Sequence, residues 1–351
     1  MKQIFYFIAI VALFGALLSS CKPEKDNDIR YMLTIRANND AWGRVTGNGT
    51  YSMGDSVSIA AVPAEGYYFI CWDDGISLNP RTVVINGKAT YVAIFSSDAD
   101  NTVSTVGFDE NGASVALFSV SDTSQVRFSC GNLQYMAAYD IWRFAKHQYD
   151  RVGNDNCFIS TTYDGWIDLF GWGTGDNPTN SSGGDADYPM YTDWGSNTIY
   201  SGSIATTGWR TLTIKEWTYL IQKRTDASLK YGTGNIDGLG GIILLPDDWV
   251  LPDGYTFNAG VASSGYDYTH NAFTKAQWSV LEAAGAVFLP AAGYRYGKRV
   301  DDVGRGGHYW SSSVVSWQEY TANYMGFASS ICHFGSEYRF TGSSVRLVKE
   351  E

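Results

Sequence analysis

Positive charge is scarce in this chain. Its 351 residues hold 25 Lys and Arg against 36 Asp and Glu, a formal net charge of −11 at pH 7. No block of Lys or Arg offsets that balance. A nucleic-acid partner, whose phosphate backbone demands a basic patch, is therefore excluded. Charged residues of both signs together make only 17%. Histidine is also sparse, at His147, His270, His308 and His333. The chain has no HExxH, no His pair at ligand spacing, no GxSxG and no phosphate loop. A nucleophile, its base and an orienting group cannot be assembled from spacing. No catalytic residue, metal ligand or cofactor is expected. Beyond the N-terminus, Cys71, Cys130, Cys157 and Cys332 match no CxxC or metal pattern. An exported chain can form disulfides, but no pairing stands out.

What the chain has in quantity is Gly (38), Tyr (24) and Trp (12), which favours strands and turns over long helices. The 44% apolar content is enough for a packed core, and the length suggests two domains. Residues 4–18 form an apolar or small-residue run behind Lys2. That run suits a signal-peptide core and is too short to span a bilayer. It ends Leu17-Leu18-Ser19-Ser20-Cys21, which resembles the bacterial lipoprotein box. The resemblance implies cleavage after residue 20 and lipidation of Cys21; the alternative is an ordinary secretory signal with an incidental cysteine. Several acyl chains on one Cys anchor stably, where a single chain binds only marginally. The expected location is the outer membrane, exposed at the surface, with the lipid as the only membrane contact. Residues 21–29 are polar and charged and read as a flexible tether.

Residues 30–96 read as a small β-rich domain. Leu33-Thr34-Ile35 and Val57-Ser58-Ile59-Ala60-Ala61 alternate as half-buried strands do. Further strands are expected at 67–72, 82–85 and 91–95, five in all, while 43–49 reads as turn chemistry. The order Gly-x-Val, Gly-x-Gly-x-Tyr, Gly-Asp-x-Val, Ala-x-Pro-Ala-Glu-Gly-Tyr-x-Phe, Trp-x-Asp-Gly, Ala-x-Phe resembles the internalin-type B repeat, a β-grasp-like module of exported bacterial proteins. The resemblance implies a spacer, sometimes an adhesive unit. Residues 97–112 read as a linker.

Residues 113–351 read as the second domain. Residues 115–120 and 126–128 look like paired strands. Residues 150–200 are long and loop-like, yet Trp166, Phe170, Trp172 and Trp194 predict a packed insertion. Two helices carry the same start signal. Thr213 with Glu216 and Thr274 with Gln277 form capping boxes, and Leu212 against Trp217 and Phe273 against Trp278 form staples. Lys223 and Arg224 suit the C-terminal end of the first helix dipole. Gly285 is placed to end the second helix. Short apolar runs at 241–246 and 286–290 suit buried strands.

An ordered motif set emerges: Gly208-Trp209-Arg210-Thr211-Leu212-Thr213 with Glu216-Trp217, then Leu244-Leu245-Pro246-Asp247, Phe288-Leu289-Pro290-Ala291-Ala292-Gly293-Tyr294-Arg295, Tyr309-Trp310-Ser311-Ser312-Ser313 and Ser344-Val345-Arg346-Leu347-Val348. It resembles the Fibrobacter-type major paralogous domain of Bacteroidetes surface lipoproteins. That resemblance implies a C-type-lectin-like fold, akin to the formylglycine-generating enzyme. The fold class expected is α+β: a small β-rich, β-grasp-like N-terminal domain, then a C-type-lectin-like domain with two helices, short strands and long loops. The formylglycine-generating enzyme needs paired reactive cysteines near its C-terminus, and here only Cys332 lies there. The Glu-Pro-Asn and Trp-Asn-Asp motifs of calcium-dependent lectins do not occur.

Between residues 305 and 340, nine of 36 residues are Phe, Trp or Tyr, against 15% for the chain. Tyr and Trp beside Ser, Gly and Asn make up the palette of antibody paratopes. The candidate ligand-binding residues are His308, Trp317, Gln318, Glu319, Tyr320, Asn323, His333, Glu337 and Tyr338. Tyr309, Trp310, Tyr324 and Phe327 are assigned to the core. Asp247-Asp248 and Asp301-Asp302 read as solvated turn acids. The function expected is non-covalent binding of a host or microbial surface glycan or protein, as an adhesin or receptor does. The alternatives are a formylglycine-generating-type enzyme and a structural subunit of a surface assembly.

Overall fold

The computed structural model describes residues 29–96 and 107–351, apart from 75, 77, 203, 266, 316 and 317. The expected signal peptide, Cys21, residues 22–28 of the tether, most of the linker and Trp317 lie outside the described residues.

The first unit holds seven strands: β1 (Arg30–Ala37), β2 (Gly43–Thr46), β3 (Gly49–Ser52), β4 (Ser56–Pro63), β5 (Tyr68–Trp72), β6 (Arg81–Val84) and β7 (Ala89–Ser96). Two sheets result, ordered β3-β1-β7-β5 and β2-β4-β6, with β1 and β7 parallel. Alternation in β1 and β4 sends Leu33, Ile35, Val57, Ile59 and Ala61 inward onto Trp72 and Phe95. The expectation of five strands was short by two, because residues 43–46 and 49–52 pair as β2 and β3. These stretches are glycine-rich and short, so their pairing leaves little apolar alternation to read. The Trp-x-Asp-Gly segment has a packing reason. Asp74 holds Arg81 through both oxygens at 2.9 and 2.6 Å. The almost buried guanidinium lies over Trp72 and Tyr91.

The remainder is β-rich with two helices. In chain order come β8 (Phe118–Ser119), β9 (Gln125–Phe128), β10 (Leu133–Met136), β11 (Ile141–Phe144), β12 (Trp166–Ile167), β13 (Ile199–Ser201), β14 (Ile204–Thr206), β15 (Arg210–Thr211) and α1 (Ile214–Gln222). Then follow β16 (Tyr231–Ile236), β17 (Leu239–Leu244), β18 (Ala272–Phe273), α2 (Lys275–Ala283), β19 (Val287–Pro290), β20 (Tyr294–Tyr296), β21 (Arg299–Asp301), β22 (Gly306–Val314), β23 (Thr321–Ala328), β24 (Ile331–Tyr338) and β25 (Leu347–Glu350). The sheets are β12-β10-β11-β13-β14, β15-β25-β9-β8, β18-β16-β17-β19, β20-β21 and β22-β23-β24. The loop-like stretch 150–200 is packed by Phe170, Trp172 and Trp194, all buried. A small cluster of Ile70, Cys71 and Ile94 with Met136, Ile141 and Tyr200 joins the first unit to the second.

Both capping boxes form. Thr213 Oγ1 accepts from the Glu216 amide, and the Glu216 carboxylate accepts from the Thr213 amide at 2.7 Å. Thr274 and Gln277 repeat the pattern. Trp217, Leu220 and Ile221 form the buried face of α1. Glu216 also holds Arg210, at 2.6 Å. Thr213→Ala is expected to cost about 1 kcal/mol, typical of a lost N-cap. Urea unfolding followed by tryptophan fluorescence checks this, and an unchanged midpoint would refute the assignment.

The motif residues brace the fold. Arg295 is fully buried and donates to Leu169 O and Gly297 O. Arg346 is equally buried and donates to Ser129 O, Gln148 O and Phe288 O. Burial lowers both guanidinium pKa values to about 10. Trp310 Nε1 donates to Phe170 O at 2.7 Å, and Tyr309 Oη to Pro290 O at 2.9 Å. Arg224 does serve the C-terminal end of α1, donating to Leu220 O, and it is buried as well, donating to Leu245 O and pairing with Asp247 at 3.1 Å. One sequence-based reading changes here. Asp247 is no solvated turn acid, since Ser119 and Gln125 also donate to its carboxylate.

Candidate functional site

The last three-stranded sheet carries most of the candidate residues. β23 pairs in register with β24 over eight residues, from Thr321↔Tyr338 to Ala328↔Ile331. With a period of two, Tyr309, Met325, Phe327, Cys332 and Phe334 face the core. His308, Tyr324, His333 and Glu337 take the opposite face. Tyr309, Trp310, Tyr324 and Phe327 are all buried, as expected.

On that face, where Trp310, Ala322 and Tyr324 pack into a second core cluster, His308 stacks on Tyr324, ring centres 5.0 Å apart and planes within 11°. Tyr324 Oη lies 3.2 Å from His333 Nε2. Tyr294, from β20, also packs against His308, ring centres 5.0 Å apart. Gly326, paired with His308 and His333, makes room for this arrangement. A Cβ there would sit 2.7 Å from both His333 Cε1 and Tyr324 Cε2. His308, His333, Asp302, Arg305 and Ile331 line an open cleft of about 460 Å³. Burial, with the His333 ring beside it, lowers the His308 pKa to about 4. Burial also lowers that of His333. Both Nδ1 atoms are buried with no hydrogen-bond partner among the described residues. Neutral imidazoles among aromatic rings suit recognition of a ligand with both polar and apolar faces. Among the described residues no group of three metal-capable side chains converges.

The other candidates separate into two places. At the far end of the sheet, Tyr320 and Tyr338 are 47% and 48% exposed. Tyr338 stacks on Phe340 at 5.1 Å. Glu337 accepts from Tyr296 Oη at 3.2 Å. Gln318 and Glu319 lie in the exposed turn before β23, where Gln318 Oε1 accepts from Thr321. Asn323 is on the opposite face and ties β23 to β22 by donating to Val314 O at 3.0 Å. Trp317 is outside the described residues. Sequence reasoning missed Tyr294, Tyr296 and Phe340. The first two flank Arg295, whose side chain is buried while theirs are not, which inverts the usual strand pattern.

A family model for a divergent InlB B-repeat domain matches residues 33–99. That match covers the seven-stranded first unit, which is thus similar to a B repeat, and leaves the part that bears the cleft outside it. No curated protein and no solved structure matches the chain.

Proposed function

We propose that this chain is a lipid-anchored surface protein whose B-repeat unit stands between the membrane and a C-type-lectin-like unit. That second unit binds a glycan or protein without covalent chemistry, at the His308–His333 cleft of the β22-β23-β24 sheet. The observation that carries the reading is the His308–Tyr324–His333 cluster beside an open cleft, with Tyr320 and Tyr338 exposed at the far end of the sheet. Rings that offer both contact area and hydrogen-bonding tips suit recognition at low entropic cost. A thiol-dependent oxidase fits less well. Burial pushes the Cys332 thiol up to about 12, and Cys71, Cys130 and Cys157 are free as well. A thiol so hard to ionise is a poor nucleophile.

The test is binding of the purified chain to glycan and surface-protein arrays. Tyr338→Ala and His333→Ala are expected to weaken any captured ligand by roughly tenfold each, about 1.4 kcal/mol, with the circular dichroism spectrum unchanged. A ligand held equally well by both variants, or no ligand at high protein concentration, refutes the site.

A further inference from the structure

The two edges of the β22-β23-β24 sheet differ. Along β22 other segments close the edge: Gly306 O accepts from the Gly293 amide, His308 O from the Ser344 amide, and the Trp310 and Ser312 amides donate to Ser344 O and Leu212 O. β24 has no strand on its far side among the described residues. The ladder fixes which of its backbone groups point there. One step beyond the Thr321↔Tyr338 pair, the Arg339 amide donates to Tyr320 O. Bonded pairs recur at every second residue, so Glu337, Gly335, His333 and Ile331 turn their amides and carbonyls toward β23. Those of Cys332, Phe334 and Ser336 point away from the sheet and have no partner among the described residues. At Tyr338 the outward groups are used locally, the amide on Glu337 Oε1 at 3.0 Å and the carbonyl on the Thr341 amide at 2.9 Å.

Proteins that keep such an edge single blunt it with Lys, Pro or a bulge. β24 reads Ile-Cys-His-Phe-Gly-Ser-Glu-Tyr, without Lys or Pro. It pairs with β23 without a shift of register, whereas the β22–β23 ladder shifts between Trp310 and Val314. Ile331 and Tyr338 are about half exposed and Ser336 is exposed, so the edge is open to solvent. We propose that the β24 edges of two copies of this chain pair antiparallel about a two-fold axis at Phe334, joining their sheets into one. The free groups are self-complementary in that register. Cys332 of each copy exchanges backbone bonds with Ser336 of the other, and Phe334 with Phe334. Phe334 and Cys332 pack on the core side, so the pairing continues an apolar layer across the axis. On the other face Glu337, the one acid of the strand, falls opposite Ile331 of the second copy, which keeps the two carboxylates apart. This pairing does not rest on the ligand reading of the His308 cleft.

Sedimentation equilibrium of the purified full chain tests this. A monomer–dimer equilibrium is expected with a Kd of roughly 10–100 µM, as suits a small interface. Ser336→Pro removes an outward amide and leaves the ladder to β23 intact. It is expected to weaken dimerisation by about tenfold or more, with the circular dichroism melting curve of the dilute protein unchanged. Ser336→Lys keeps the backbone as it is, places a charge on the edge and is expected to act in the same direction. Amide hydrogen exchange gives the register. The Cys332, Phe334 and Ser336 amides are expected to gain protection as the protein is concentrated through the Kd, while those of His333 and Gly335 are protected throughout. A chain that stays monomeric well above that concentration overturns the proposal. So does association that both Ser336 variants leave intact, or a Phe334 amide whose exchange does not slow with concentration.

Discussion

Arg346→Met is expected to destabilise the second unit by about 3–5 kcal/mol, enough to lower its melting temperature by roughly 10 °C. The guanidinium is buried and joins three separate stretches of backbone, at Ser129, Gln148 and Phe288. Methionine fills much of the same volume but donates nothing, so three carbonyls lose their donor in a dry interior. Each such loss carries a desolvation penalty of about 1–3 kcal/mol, and the donor being charged adds to it. Removal of the buried charge itself recovers part of the cost, which is why the expected figure lies below the simple sum. Urea unfolding followed by tryptophan fluorescence reads the change. A midpoint shift equivalent to less than about 1 kcal/mol would show that the brace is dispensable.

His308→Asn is expected to make the protein more resistant to acid. The His308 pKa falls from 6.5 in the unfolded chain to about 4 in the folded one, chiefly through burial. Above pH 6.5 the imidazole is neutral in both states and contributes no pH dependence. As the pH drops below 6.5 the unfolded chain takes up the proton first, so folding stability is lost, until the folded pKa near 4 is reached. The loss over that window is about 3 kcal/mol, with His333 adding in the same direction. Asp168 acts the opposite way. Burial raises its folded pKa from 3.8 to about 6, so protonation of the folded state stabilises it across nearly the same range. The wild-type curve therefore sums opposing slopes, and the informative quantity is the difference between wild type and variant. Between about pH 7.5 and pH 4.5, His308→Asn is expected to lose about 3 kcal/mol less than wild type. Parallel curves would refute the burial of a neutral imidazole.

The bracing and recognition roles fall on different residues. Arg210, Asp247, Arg295, Tyr309, Trp310 and Arg346, which belong to the ordered motif set, spend their polar groups inside the fold. They say how the chain is held together. The cleft uses residues between those motifs, which accounts for how little of the binding surface the motifs disclose. Among the candidates, His308 and His333 do come together, whereas Asn323 is turned away and serves the β22–β23 junction.

What the sequence settled alone was local. A capping box depends on groups three residues apart, so both helix starts were readable from Thr213 to Glu216 and from Thr274 to Gln277. Alternation in β1 and β4 assigned their inner faces for the same reason, since a strand's period is a property of its own backbone. Tertiary structure alone decided which distant groups meet. Arg224 and Asp247, or Tyr294 and His308, are brought together by sheets that close through residues far apart in the chain. Their pairing energies depend on burial and approach, which no stretch of sequence carries by itself.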